Sequence, residues 1–359
     1  MKIILLILIF TLTSLATYAE VISTKNSKNQ EALLARSEGE IEFVTVGDPN
    51  NVPEQQTQLG SVMIPYRIGK YEVTVEQWCD FLNAVASYED PHGLYDIRMN
   101  TDVLVSSIYR ISDEHTKTYS YLSFEESALF PITYVSYDNA LRFCNWHENG
   151  RPTCFLKNEI LKACTEHGAY DFGLSASERE MIVSAPNAHY FLPTESQWVK
   201  AAYYAGSGTN APYWLYPTQH NTPPNTDEED LTNKVNIEYP SNSLISNNRA
   251  LKPVDYYRNT QGAYGTCDMG GNVAEWMTSD HVSSLSTLIP VIRGASWASN
   301  SFDDLLISTP AQYYDSTESA LGNNKTGFRV AAVILDTIET LSPLSAREAL
   351  SSSMKATPS

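Results

Sequence analysis

The sequence predicts an α+β domain of short strands, a few helices and much irregular chain. Three observations carry that prediction. Two stretches, residues 41–46 and 67–73, alternate apolar and polar residues as strands do. Three others place apolar residues at helical spacing behind a capping residue. The 18 Pro and 22 Tyr then break the chain into loops and pad it with amphipathic rings.

Composition narrows the function classes. Of 359 residues, 42% are hydrophobic and 18% charged, which excludes a disordered chain and a coiled coil. The net charge of -18 leaves no basic field for phosphate, so nucleic acid and anionic membrane surfaces are excluded as partners.

Residues 1–19 read as a signal peptide. Met1-Lys2 is a short positive start, residues 3–12 are apolar, and Thr17-Tyr18-Ala19 offers small residues for cleavage. The run is too short for a permanent membrane helix, and no Cys follows it to carry a lipid, so no membrane anchor is expected. Export, to a periplasm or out of the cell, permits disulfides among Cys79, Cys144, Cys154, Cys164 and Cys267. An odd number leaves a thiol unpaired. Cys154 and Cys164 can close a small loop, while Cys79 and Cys144 sit in helical patterns as buried thiols do.

Along the chain, residues 20–40 form a flexible lead-in, and the strand over 41–46 turns at Gly47-Asp48-Pro49-Asn50. After the strand over 67–73, Thr74 with Gln77 has capping-box spacing, and Val75, Trp78, Leu82 and Val85 predict a helix over 75–86. Ser136 opens a second helix, through Tyr137, Ala140, Leu141 and Cys144. Thr194 with Gln197 opens a third, through Trp198, Ala201 and Ala202. These aromatic faces are core and carry no chemistry. Polar stretches near 90–130, 150–188 and 205–235 read as long loops. The acidic run Asp227-Glu228-Glu229-Asp230 reads as a solvated loop, and residues 337–359 as a mobile tail.

Four segments carry a resemblance. They are Tyr71-Glu72-Val73-Thr74, Phe191-Leu192-Pro193-Thr194-Glu195 running into Trp198, Gly270-Gly271-Asn272-Val273-Ala274-Glu275-Trp276, and Arg293-Gly294-Ala295-Ser296-Trp297 with Gly327-Phe328-Arg329-Val330-Ala331. In this order they resemble the formylglycine-generating-enzyme, or sulfatase-modifying-factor, family over residues 41–336. The resemblance implies a variant of the C-type-lectin-like fold. It also implies a reaction: oxidation of a sulfatase cysteine to formylglycine with O₂, on copper(I) held by two thiolates.

Carried onto this sequence, the two thiolate positions fall at Ser299 and Asp304, and no Cys occurs after Cys267. Neither a hydroxyl nor a carboxylate replaces a soft donor, so copper is not expected. The resemblance also implies a calcium site at Asp268, Gly271, Val273 and Glu275. There two carboxylates bracket a glycine turn whose carbonyls can converge on a hard cation. The competing reading has Glu275 capping the turn or pairing with Arg329. A second family site would start at Asn236-Ile237, although its expected acid is Ser246 here.

The function that follows is a secreted, catalytically silent binding module. Its groove, bordered by Ser296, Ser299, Asp303 and Asp304, would take a protein, peptide or carbohydrate ligand that is cationic or rich in hydroxyls. The alternative is an oxidoreductase that acts on a protein cysteine through other residues.

Overall fold

Three helices begin where their side chains can hold the first free N–H groups. In a computed structural model, residues 40–154, 162–172, 188–225, 232–237, 250–280, 289–314 and 321–334 are described. From residue 41 they belong to one compact unit. Helix α1 (Val75–Val85) starts in a full capping box. The Gln77 N–H donates to Thr74 Oγ1 at 3.3 Å and the Thr74 N–H to Gln77 Oε1 at 2.9 Å. Of the remaining helices, α2 is the single turn Arg98–Thr101. Helix α3 (Tyr137–Glu148) is capped by Ser136, whose Oγ accepts from the Asn139 N–H. Helix α4 (Glu195–Tyr203) repeats the box with Thr194 and Gln197.

The strands make three small sheets. β1 (Phe43–Val46), β2 (Tyr66–Gly69), β5 (Tyr190–Phe191) and β10 (Ala331–Val333) form one, in the order β1-β2-β10-β5. β3 (Ile108–Asp113) and β4 (Thr118–Ser123) form a hairpin. β6 (Ala274–Thr278), β7 (Pro290–Arg293), β8 (Gln312–Tyr313) and β9 (Thr326–Phe328) form the third, in the order β8-β7-β6-β9, with β6 and β9 parallel.

Aromatic rings join these layers. Trp78 of α1 stacks on Phe143 of α3 at 5.7 Å, and Phe328 of β9 meets both rings edge-on. Trp198 of α4 is fully buried in a second cluster with Tyr66, Ile68, Met269 and Met277. The faces read from the sequence as core are core.

Two expectations fail, each for a physical reason. The strand predicted over 67–73 ends at Gly69. Beyond it the backbone stays bonded without a ladder: the Lys70 carbonyl accepts from the Cys267 N–H and from Arg329, and the Val73 N–H donates to Phe328. Within the stretch near 90–130, read as a loop, lie α2 and the β3–β4 hairpin. Arg110, Ile111, Ser112, Asp113, Ser120 and Leu122 are exposed, while Ile108 and Tyr121 are buried. A strand whose inner face is carried by tyrosine has the polarity of a loop. The 1–19 leader, residues 20–39 of the lead-in, the 227–230 acidic run, Ser246 and the 337–359 tail lie outside the described residues.

Cys154 and Cys164 are bonded, with Cα atoms 6.8 Å apart, and Cys79, Cys144 and Cys267 are free and buried. The bond closes a short loop, with a sequence separation of 10. Reduction, or Cys154→Ser with Cys164→Ser, should therefore cost about 2–3 kcal/mol in urea unfolding at unchanged fold by circular dichroism. An unchanged midpoint would show that the bond constrains nothing in the unfolded chain.

Candidate functional site

The glycine turn of residues 268–275 is set by three left-handed backbone positions, Asp268 (φ 53), Gly271 (φ 81) and Asn272 (φ 58). Gly271 has no alternative: a Cβ there would lie 2.7 Å from the Asn236 carbonyl oxygen. Asn272 ties the turn down. Its N–H donates to the Asn236 carbonyl at 2.8 Å, its Oδ1 accepts from Asn236 Nδ2 and the Lys252 N–H, and its Nδ2 donates to the Lys252 carbonyl. The sequence reading passed over Asn272; its Gly-Gly-Asn context, a short polar residue after a turn, was the available signal.

Beneath the turn sits Arg329, which is fully buried. Its Nη2 and Nε donate to Glu275 Oε1 and Oε2 at 2.6 and 2.7 Å. The remaining donors reach the carbonyls of Gly69, Lys70, Cys267 and Asp268, and Trp198 Nε1 adds a bond to Glu275 Oε2 at 2.8 Å. Glu275 is therefore the guanidinium's partner.

Two more buried acids face this pair. Glu72 Oε1 and Asp268 Oδ2 have no hydrogen-bond partner among the described residues. Burial drives the Glu72 carboxyl well above its usual range, with Asp268 and Glu275 adding to the effect. Burial likewise pushes Asp268 up to about 8, against the pull of Arg329. Three carboxyl groups thus share one guanidinium.

That excess bears on the calcium implied at Asp268, Gly271, Val273 and Glu275. Two orphaned carboxylate oxygens and a donor set made only of oxygen fit a hard divalent ion. Asp268 and the carbonyls of Gly271 and Val273 would hold it, with Glu275 shared with Arg329. Among the described residues no three His, Cys, Asp or Glu side chains converge on one point, so backbone oxygens would have to complete such a site. At the second position, Asn236 spends its Nδ2 on the Ala250 carbonyl and Asn272 Oδ1, and Ile237 packs with Tyr216, Val235 and Leu305.

Residues of the third sheet and of the turns that follow β7 line a cavity of about 510 Å³. Ser296, Ser299 and Asp304 line it, and Asp303 does not. Asp303 and Asp304 occupy consecutive positions of a 3₁₀ turn, Phe302–Leu305, so they leave it in different directions. The turn after β7 is locked: the Ser296 N–H donates to Ser299 Oγ at 3.1 Å and the Ser299 N–H returns to the Ser296 carbonyl at 2.9 Å. Arg293 and Lys325 also line the cavity, and the sequence reading gave neither a place in the groove. Buried Glu195 holds Arg293 at 2.7 Å through Nε, and Tyr313 donates to the other Glu195 oxygen.

The chain matches the Sulfatase-modifying factor enzyme 1-like domain over residues 18–334. It belongs to that family. Among solved structures it is similar to Treponema denticola variable protein 1, at 19% identity and TM-score 0.46, covering 83% of this chain and 98% of that one. It is also similar to CarF, at 17% and 0.45, covering 82% and 99%, and to PvdO from Pseudomonas aeruginosa, at 17% and 0.38, covering 82% and 92%. No curated protein matches.

In this sulfatase-modifying-factor domain the α+β, loop-rich architecture expected from the sequence is present. Ser299 and Asp304, the positions where the resemblance places two thiolates, share the cavity wall. Cys79, Cys144 and Cys267 do not line it, and burial raises each thiol, Cys267 to about 12. Beside the cavity, Asn324 Nδ2 donates to Asp102 Oδ2 at 3.0 Å and Thr326 is buried.

Proposed function

We propose that this protein is a secreted sulfatase-modifying-factor domain that binds a ligand in the 510 Å³ cavity and does not generate formylglycine. The observation that carries the reading is the cavity wall itself. Copper(I) needs two soft donors, and the wall offers the Ser299 hydroxyl, already taken by the Ser296 N–H, and the Asp304 carboxylate. Cys267, the cysteine nearest the glycine turn in sequence, is enclosed and its thiol accepts from Gln261 Nε2 at 3.7 Å. A thiol held protonated by burial is a poor metal ligand. Export is supported by the basic start, apolar run and small-residue exit of residues 1–19.

The direct test supplies copper and oxygen to the purified protein with a Cys-containing peptide of the sulfatase type and follows the peptide mass. The expected outcome is neither stoichiometric copper nor aldehyde. Stoichiometric copper with aldehyde would overturn the reading in favour of an oxidoreductase acting on protein cysteine.

We also propose calcium at the glycine turn, supported by the two orphaned oxygens and the surplus of acid over guanidinium. Glu275→Ala is a poor probe, because it strands Arg329 whether or not an ion binds. Asp268→Asn separates the cases, since Asn accepts the left-handed backbone at this position. In chelator the change removes an uncompensated buried carboxyl and should raise stability by roughly 1 kcal/mol. In millimolar calcium it should lower stability, by an amount that grows with free ion. The same sign in both conditions would remove calcium from the account.

A further inference from the structure

The cavity holds two opposite charges that do not meet. Asp304 and Lys325 both line it, yet neither side chain makes an ion pair or a hydrogen bond among the described residues. A third group is more telling. Arg293 is 9% exposed, with Nε on Glu195 and Nη1 on the Thr309 carbonyl at 2.9 Å, but Nη2 makes no hydrogen bond among the described residues. Arg293 is itself one of the residues that line the cavity. A buried guanidinium held by two fixed partners in the wall of a concave site, with one nitrogen left unbonded, is a preorganised donor for an oxyanion.

The charges then sum simply. Glu195 neutralises Arg293, and Asp304 balances Lys325, so the cavity as a whole is neutral but divided. A purely cationic ligand would meet Lys325 and Arg293, and a purely anionic one would meet Asp304. A neutral sugar would want an aromatic platform, and both lining tyrosines are engaged with the protein. Tyr203 is buried and donates to the Leu305 carbonyl at 3.0 Å, while Tyr314 packs on Trp276 at 5.2 Å.

We propose that this cavity binds an α-ammonium carboxylate zwitterion, the chemistry carried by a free amino acid or a short peptide. Arg293 Nη2 and Lys325 receive the carboxylate, and Asp304 receives the ammonium. A volume of about 510 Å³ falls in the range of small-molecule sites. The proposal rests on the binding-module reading above and corrects its expected ligand: the wall is not simply acidic, because Asp303 lies outside it and Lys325 and Arg293 lie within.

The test is calorimetric titration of the wild-type protein with individual free amino acids and dipeptides up to about 10 mM, a range that reaches weak millimolar affinity. Each binder is then repeated with its amino group acetylated and with its carboxyl group amidated. Each cap should weaken binding roughly ten- to hundredfold, the scale of one charged hydrogen bond. Asp304→Asn should reproduce the acetyl loss and Lys325→Met the amide loss, with melting temperatures unchanged, because neither side chain supports the fold. Free amino acids and dipeptides are separate arms, so the stronger binder identifies the source.

The proposal falls if no zwitterion binds, if both caps are tolerated, or if neutral methyl glycosides bind and ignore both substitutions. Those outcomes leave the silent-module reading standing. Copper-dependent aldehyde formation, by contrast, would overturn that reading and take this one with it.

Discussion

One guanidinium closes this fold. Arg329 reaches Glu275 on β6 with a forked pair of bonds and spends its other donors on carbonyls at the end of β2 and at the start of the glycine turn. Small sheets joined by irregular chain leave many backbone groups outside any ladder, and each buried one needs a partner. A side chain with five fixed donors can serve several at once, which lysine cannot. Trp198 adds α4 to the same carboxylate. Two sheets, one helix and the glycine turn therefore meet at one buried ion pair.

That centre fixes the floor from which the cavity opens. β6 and β7 pair across Glu275 and Arg293, so the strand carrying the locked acid also sets the residue that lines the cavity. Arg293 repeats the arrangement one strand over, with Glu195 as its buried acid. The difference lies in saturation: Arg329 has every donor engaged, while Arg293 has one nitrogen without a hydrogen bond among the described residues. In the cavity wall above that frame Ser299 offers a hydroxyl and Asp304 a carboxylate, neither of them a soft donor.

What was legible in the sequence was local. Thr74 with Gln77 and Thr194 with Gln197 declare their helix starts because a capping box is made within four residues. The Cys154–Cys164 loop was legible for a similar reason, since the two partners lie close in the chain. The β3–β4 hairpin was not, because Tyr121 buries its ring while scoring as polar. Strand β2 was drawn too long because alternation continues past Gly69, where Arg329, some 260 residues away, replaces the ladder partner. At the cavity the motif residues were placed, but Asp303 and Asp304 could not be told apart without the 3₁₀ turn. Arg293 and Lys325 became cavity residues only through pairing of distant strands.

The most direct measurement is a double-mutant cycle in urea on Arg329→Lys, Glu275→Gln and the pair. Lysine keeps the charge and loses the fork, so Arg329→Lys should cost about 3 kcal/mol. The two changes should be non-additive by roughly 0.5–3 kcal/mol, because they touch one interaction. The double variant should stay well below the wild type, because the carbonyls of Gly69 and Cys267 still lack their donors. An Arg329→Lys protein within about 0.5 kcal/mol of the wild type, with additive effects, would contradict the account.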